Sequence, residues 1–132
     1  MFSLFKLQSN KYIQMNIEEL REYCLSKIAV SEGFPFDEET LVFKVLDKMF
    51  LLTNITGELQ MNVKCDPEKA IELREMYSSV LPGYHMNKKY WNTVVIDGSV
   101  LDRELEQWID DSYDQVVAKM TKKKQNELMN LK

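Results

Sequence analysis

Histidine occurs once in this chain, at His85, and cysteine only twice, at Cys24 and Cys65. The cysteines lie far apart with no CxxC spacing, so a zinc site of Cys and His ligands has no basis. They read as buried, reduced thiols, Cys24 inside a helix and Cys65 at a strand end. No apolar run approaches the roughly 20 residues needed to cross a bilayer, which predicts no membrane partner. The opening Met1-Phe-Ser-Leu-Phe-Lys-Leu lacks the basic n-region and small-residue cleavage site of a secretory signal, and a cytoplasmic protein is expected. There is no P-loop, dinucleotide fingerprint or metalloprotease helix motif. His85 is the one candidate base, and neither Cys24 nor any serine sits in a nucleophile-elbow context. No catalytic residue, metal or cofactor is therefore assigned, and a binding protein is expected rather than an enzyme.

What is present describes one globular domain. Its 132 residues suffice for a real core but not for two, and 45% hydrophobic with 29% charged residues is an ordinary soluble composition. The net charge of −4 argues against coating nucleic acid by charge alone. The charges are segregated: Asp102, Glu104, Glu106, Asp110, Asp111 and Asp114 share one predicted helix, and Lys122-Lys123-Lys124 follow it. Those carboxylates read as a solvated helix face.

Residues 1–14 read as an N-terminal extension, expected to be disordered. Asn16 and Glu19 make a capping-box pair for a first helix, whose stripe is Leu20, Cys24 and Ile28 and which ends before Gly33. Phe34-Pro35-Phe36 is a turn and Asp37-Glu38-Glu39 a solvated acidic loop. Strands are predicted over Thr40–Val45, Met49–Thr53 and Leu59–Cys65, with a tight turn at Leu46-Asp47-Lys48. In the third, Leu59, Met61, Val63 and Cys65 alternate with Gln60, Asn62 and Lys64, so one face meets a core and the other meets water. Asp66-Pro67 starts a second helix. Two strands follow at about Tyr84–Met86 and Tyr90–Ile96, turning at Asn87-Lys88-Lys89. Ser99 is predicted to cap the last helix, whose core face includes Trp108, and the chain from 122 to 132 reads as a basic, fraying tail. The fold class is a two-layer α+β domain: one antiparallel five-stranded sheet with helices on one face, in the order α-β-β-β-α-β-β-α, spanning 15–121.

The stretch from Pro82 to Ile96 concentrates His85, Asn87, two lysines and Trp91. Lys88 and Lys89 at a hairpin tip, beside a sheet face bearing Lys44, Gln60, Asn62 and Lys64, could neutralise phosphates while a ring stacks on a base. The same open face or an edge strand could instead take a peptide or protein partner, as a monomer or weak dimer.

Thr40-Leu-Val-Phe-Lys-Val, Lys64-Cys-Asp-Pro-Glu-Lys-Ala and Pro82-Gly-Tyr-His-Met-Asn-Lys-Lys-Tyr-Trp-Asn-Thr-Val resemble the MmcQ/YjbR family of small bacterial proteins, over about Met15 to Met120. The resemblance implies a CyaY-like (frataxin-like) fold and a proposed double-wing DNA-binding surface. His85, Asn87, Lys88, Lys89 and Trp91 then occupy the most characteristic motif, and Lys44 and Lys64 the two strand motifs. Tyr90 stands where histidine is expected in many relatives. The acidic sum implies modest, steeply salt-dependent DNA affinity. By fold analogy alone, Glu18, Glu19 and Glu22 with Asp37 to Glu39 could mimic an iron-binding ridge.

Overall fold

The computed structural model describes residues 14–83 and 86–132. The chain runs α1 (Ile17–Leu25), β1 (Val30–Gly33), β2 (Thr40–Val45), β3 (Lys48–Asn54), β4 (Gln60–Lys64), α2 (Pro67–Met76), β5 (Val80–Pro82), β6 (Trp91–Val95), α3 (Asp102–Ala118) and α4 (Lys122–Asn130). The strands form one fully antiparallel sheet in the order β1-β2-β3-β4-β6-β5. It is an α+β domain as expected, but with six strands among the described residues rather than five.

Both helix starts are built as their residues dictate. Asn16 Oδ1 accepts from Glu19 N at 2.8 Å and Glu19 Oε1 accepts from Asn16 N at 3.1 Å, a closed capping box. Asp66 Oδ2 accepts from the N–H groups of Glu68 and Lys69, with Pro67 opening α2. The β2–β3 turn puts Leu46 and Asp47 at φ 44° and 72°, the paired left-handed geometry of a type I′ hairpin.

Four local expectations are corrected. The first helix stops at Leu25, and Ala29 at φ 63° turns the chain into β1, a strand expected as helix and turn. The strand expected at 84–86 is replaced by β5 at Val80–Pro82; Tyr84 and His85 lie outside the described residues, and Met86 is in a bend. Ser99 does not cap α3: its hydroxyl donates to Asp97, and Asp102 accepts from Met15 N at 3.0 Å instead. After Thr121, whose side chain accepts from Lys124 N, the chain forms α4, held by buried Leu128. Residues 1–13 of the proposed extension lie outside the described residues.

All four helices among the described residues meet the sheet on one face. Leu20 and Cys24 from α1, Ala70 and Leu73 from α2, Leu105, Trp108, Ile109 and Val116 from α3, and Leu128 from α4 join Phe43, Leu51, Met61, Val63 and Val94 in one core. Trp108 is a core residue, as expected, and packs edge-on against Tyr77 at 5.2 Å. Two α3 carboxylates are not free on a wet face: besides Asp102, Asp110 accepts from the Tyr23 hydroxyl at 2.8 Å and pairs with Lys27.

Both cysteines are buried and unpaired. Burial pushes the Cys24 thiol from an ordinary 9.0 up to about 12 and the Cys65 thiol up to about 11. The hydroxyls of Tyr23 and Tyr113 are also raised, chiefly by burial. Folded protein thus keeps protons that the unfolded chain releases, so stability falls as pH rises above the ordinary thiol value. Lys64, lowered by burial, opposes this in part. The melting midpoint is expected to drop steadily between pH 9 and pH 11, less steeply in Cys65→Ala. A midpoint that holds level or rises would contradict the burial of these groups.

Candidate functional site

The face of the sheet opposite the helices carries a second, smaller core. Val42 on β2, Leu52 on β3 and Trp91 on β6 are buried there, with Met49, Met86 and Tyr90 packed around them. Register explains the set: Val42 lies opposite Leu52, Leu52 opposite Asn62, and Asn62 opposite Thr93, so these positions share one side of the pleat. Thr93 donates to Asn62 Oδ1 at 2.6 Å, closing the polar part of the row. Trp91 is 8% exposed, so its indole fills this cluster and is not a free stacking platform.

The ring that does stand at the rim is Tyr90. Its carbonyl accepts from Cys65 N at 2.6 Å, which ties it to the end of β4 beside Lys64. Lys89 Nζ lies 5.6 Å from the Tyr90 ring centroid and Lys119 Nζ, from the C-cap of α3, lies 5.3 Å from it. Lys64 is close enough to Lys119 to feel its charge; burial first and that charge second lower its pKa. Two lysines from separate elements, Lys89 and Lys119, therefore converge on one phenol, with Lys64 at the neighbouring end of β4. None of the three is ion-paired with a described carboxylate.

The basic turn is held from below. Arg74 on α2 donates through Nε to Asn92 Oδ1 at 2.7 Å and through Nη2 to the Lys88 carbonyl. Asn92, 1% exposed, also donates to the Ala70 carbonyl at 3.3 Å, so β6, α2 and the turn are pinned together. Asn87 is an organiser of the turn: Oδ1 accepts from Lys89 N at 2.9 Å, and its carbonyl accepts from Tyr90 N and Trp91 N.

Of the residues expected at the surface, Lys88 and Lys89 are exposed on this turn, and Lys64 joins them through Lys119. His85 lies outside the described residues. Lys44 is not part of the cluster. It lies two strands away from β4 and lines a different groove with Ser31, Phe34, Pro35 and Asp47. Lys119 was missed, because on the sequence it is merely the cation ending an acidic helix. Three of the six acidic residues proposed as an iron ridge have other duties: Glu19 closes the capping box, Asp37 accepts from Glu39 N and Thr40 N, and Glu39 accepts from Thr56. Among the described residues no group of three or more His, Cys, Asp or Glu is placed to hold a metal ion.

This fold and its motif-bearing turn have relatives. A family model described as YjbR matches residues 25–115. The chain belongs to the YjbR family. The YjbR protein of Escherichia coli K12 is 33% identical over 118 residues, covering 89% of this chain and all of that one. The YbdF protein of Escherichia coli O157:H7 is 38% identical over 93 residues, 70% of this chain and 76% of the relative. Among solved structures, the Deinococcus radiodurans protein DR2400, with a domain described as DUF419, superposes with a TM-score of 0.81 at 44% identity, over 86% of this chain and 87% of that one. A Pseudomonas syringae protein superposes with a TM-score of 0.68 at 27% identity, over 76% and 98% of the two chains. None of these names carries an activity, so the functional reading of this YjbR-family chain rests on its own residues. No helix among the described residues is long and apolar enough to cross a membrane.

Proposed function

We propose that this YjbR-family protein is a binding module for nucleic acid, gripping the phosphate backbone without reading sequence. The carrying observation is the convergence of Lys89 and Lys119 on Tyr90 beside the end of β4 that bears Lys64, none of the three lysines being paired with a described carboxylate. Ammonium groups held at fixed spacing neutralise successive phosphates and release counterions. Lys88, exposed on the same turn, adds a fourth positive group. Burial of Trp91 supports backbone contact over base stacking, since the larger ring is committed to the sheet. Burial of both thiols, with their raised pKa values, supports binding rather than nucleophilic catalysis.

The test is electrophoretic mobility with a duplex of arbitrary sequence. With about four phosphates neutralised, raising salt from about 50 to about 200 mM should weaken binding on the order of a hundredfold. Lys89→Glu with Lys119→Glu should abolish the shift at low salt while leaving the melting midpoint unchanged, because both side chains are exposed. Wild-type protein that fails to bind at low salt would reject this reading and favour a protein or peptide partner. Phe34 and Phe36, 47% and 62% exposed just beyond edge strand β1, are where such a partner would be sought.

A further inference from the structure

The sheet ends in two edge strands, β1 and β5, and the two are built differently. Along β5, Ser79 O accepts from Val95 N and Gly83 N donates to Trp91 O, so by alternation Val80 and Pro82 face outward. Val80 N already donates to Tyr77 O at 3.1 Å, and Pro82 has no N–H. That edge offers no donor to a further strand. Along β1, Leu46 N donates to Ala29 O, which turns Ser31 and Gly33 toward β2 and leaves Val30 and Glu32 facing outward. Among the described residues nothing bonds the outward N–H and C=O groups of these two. The strand has neither proline nor lysine to guard it, and the Glu32 carboxylate is held by Arg21, with Nε at 2.9 Å. One edge is closed to pairing and the other is open.

We infer that the open edge is an interface between two copies of this chain, joined β1 to β1 in antiparallel fashion about a two-fold axis at Ser31. The strand is complementary to itself in that register. Val30 of each copy meets Glu32 of the other, so every outward N–H finds an outward C=O and none is left over. This match of β1 with itself is what favours a second copy over a foreign strand. Val30 packs on the main core, so Ser31, the next residue, lies on the opposite face, where it is exposed and small enough for close approach at the axis. Glu32 stands opposite Val30, not opposite another acid, so no like charges face each other across the ladder. Beyond Gly33, the 47% exposed Phe34 of each copy is carried past the other copy's Ala29. A groove lined by Ser31, Val42, Lys44 and Asp47 lies at that end of the sheet to receive the ring. The closed β5 edge sets the stoichiometry: both outer ends of the joined sheet are β5, so growth stops at two. A contact built on a four-residue strand is short, and the dimer is a weak one.

Sedimentation equilibrium of the full chain at up to about 1 mM should show reversible exchange between monomer and dimer, with no larger species. Ser31→Lys sets like charges face to face at the axis and should weaken dimerisation about fivefold or more, as should Ser31→Glu. Mixing the two variants should restore it, because only a symmetric contact brings residue 31 against itself. Glu32→Pro removes an outward N–H, leaves the β1–β2 bonds in place, and should also weaken the dimer. Ser31→Cys should cross-link copy to copy under mild oxidation, since a non-hydrogen-bonded antiparallel pair holds its Cα atoms about 4.5 Å apart. Glu58→Cys, exposed elsewhere, should not. Ser31 is exposed, so its variants should melt as the dilute wild type does. A wild-type chain that stays monomeric, assembly beyond two copies, or a dimer indifferent to charge at residue 31 would overturn the inference. The readout contains no nucleic acid and the basic turn lies at the far side of the sheet, so this experiment and the DNA experiment fail independently.

Discussion

Ser112→Ala should lower the unfolding free energy by about 2–4 kcal/mol, although it removes only one oxygen. Ser112 is fully buried on α3, and its hydroxyl accepts from Lys64 N at 2.7 Å while donating to the Phe50 carbonyl at 2.5 Å. Those two backbone groups would ordinarily meet in the β3–β4 ladder. They do not, because the β2–β3 register shifts between Phe43 and Lys44 and the β3–β4 pairing begins at Leu51 and Val63. The helix therefore inserts a hydroxyl where the sheet parts. Alanine leaves a buried donor and a buried acceptor both unmet, and each orphaned group costs about 1–3 kcal/mol. Urea titration should show a lower midpoint with an unchanged slope. A loss under about 0.5 kcal/mol would mean that the strands close without the serine.

The same residue shows why parts of this molecule are not legible from its sequence. The alternation of Met61 and Val63 with Asn62 and Lys64 announces β4 directly, and Asp66-Pro67 announces α2, because each signal is local. Strand β1 carries no such signal. Within Val30-Ser-Glu-Gly, it is pairing with Val45 and Phe43 of β2 that makes a strand, and Ala29 enters it through a left-handed backbone usually reserved for glycine. Helix α4 is similar: three successive lysines read as a solvated tail, and its order comes from Thr121 capping its start and Leu128 reaching the core.

The candidate site divides in the same way. Lys88 and Lys89 are visible as a basic turn because they adjoin Asn87, whose side chain organises that turn. Lys119 is invisible because its meeting with Tyr90 depends on α3 crossing β3 and β4, a tertiary event joining residues remote in the chain. Trp91 illustrates the reverse error. A tryptophan in a lysine-rich motif looks like a recognition ring, yet Val42 and Leu52, on strands far earlier in the chain, supply a pocket that buries it.

That burial makes Gly83 the most sensitive position in the stretch carrying the basic turn. Its φ is not in the left-handed region, so its requirement is one of space. Gly83 N donates to the Trp91 carbonyl at 2.9 Å, and its own carbonyl accepts from Met86 N at 2.9 Å. A methyl group placed on Gly83 would lie 2.9 Å from both Cβ and the carbonyl oxygen of Trp91. Neither atom belongs to a flexible side-chain end, so relief requires β5 and β6 to separate. Gly83→Ala is expected to cost about 1–3 kcal/mol by overpacking, and Gly83→Val more, since a branched chain cannot turn away from the strand. The displacement has a functional reading as well: Trp91, Tyr90 and the Lys88–Lys89 turn hang from this contact. The alanine variant should therefore bind duplex more weakly at a temperature where it remains folded, with a changed Trp91 indole resonance reporting the shift. Wild-type melting together with an unmoved indole signal would show that the strands absorb the methyl group, and that Gly83 does not set the position of the basic turn.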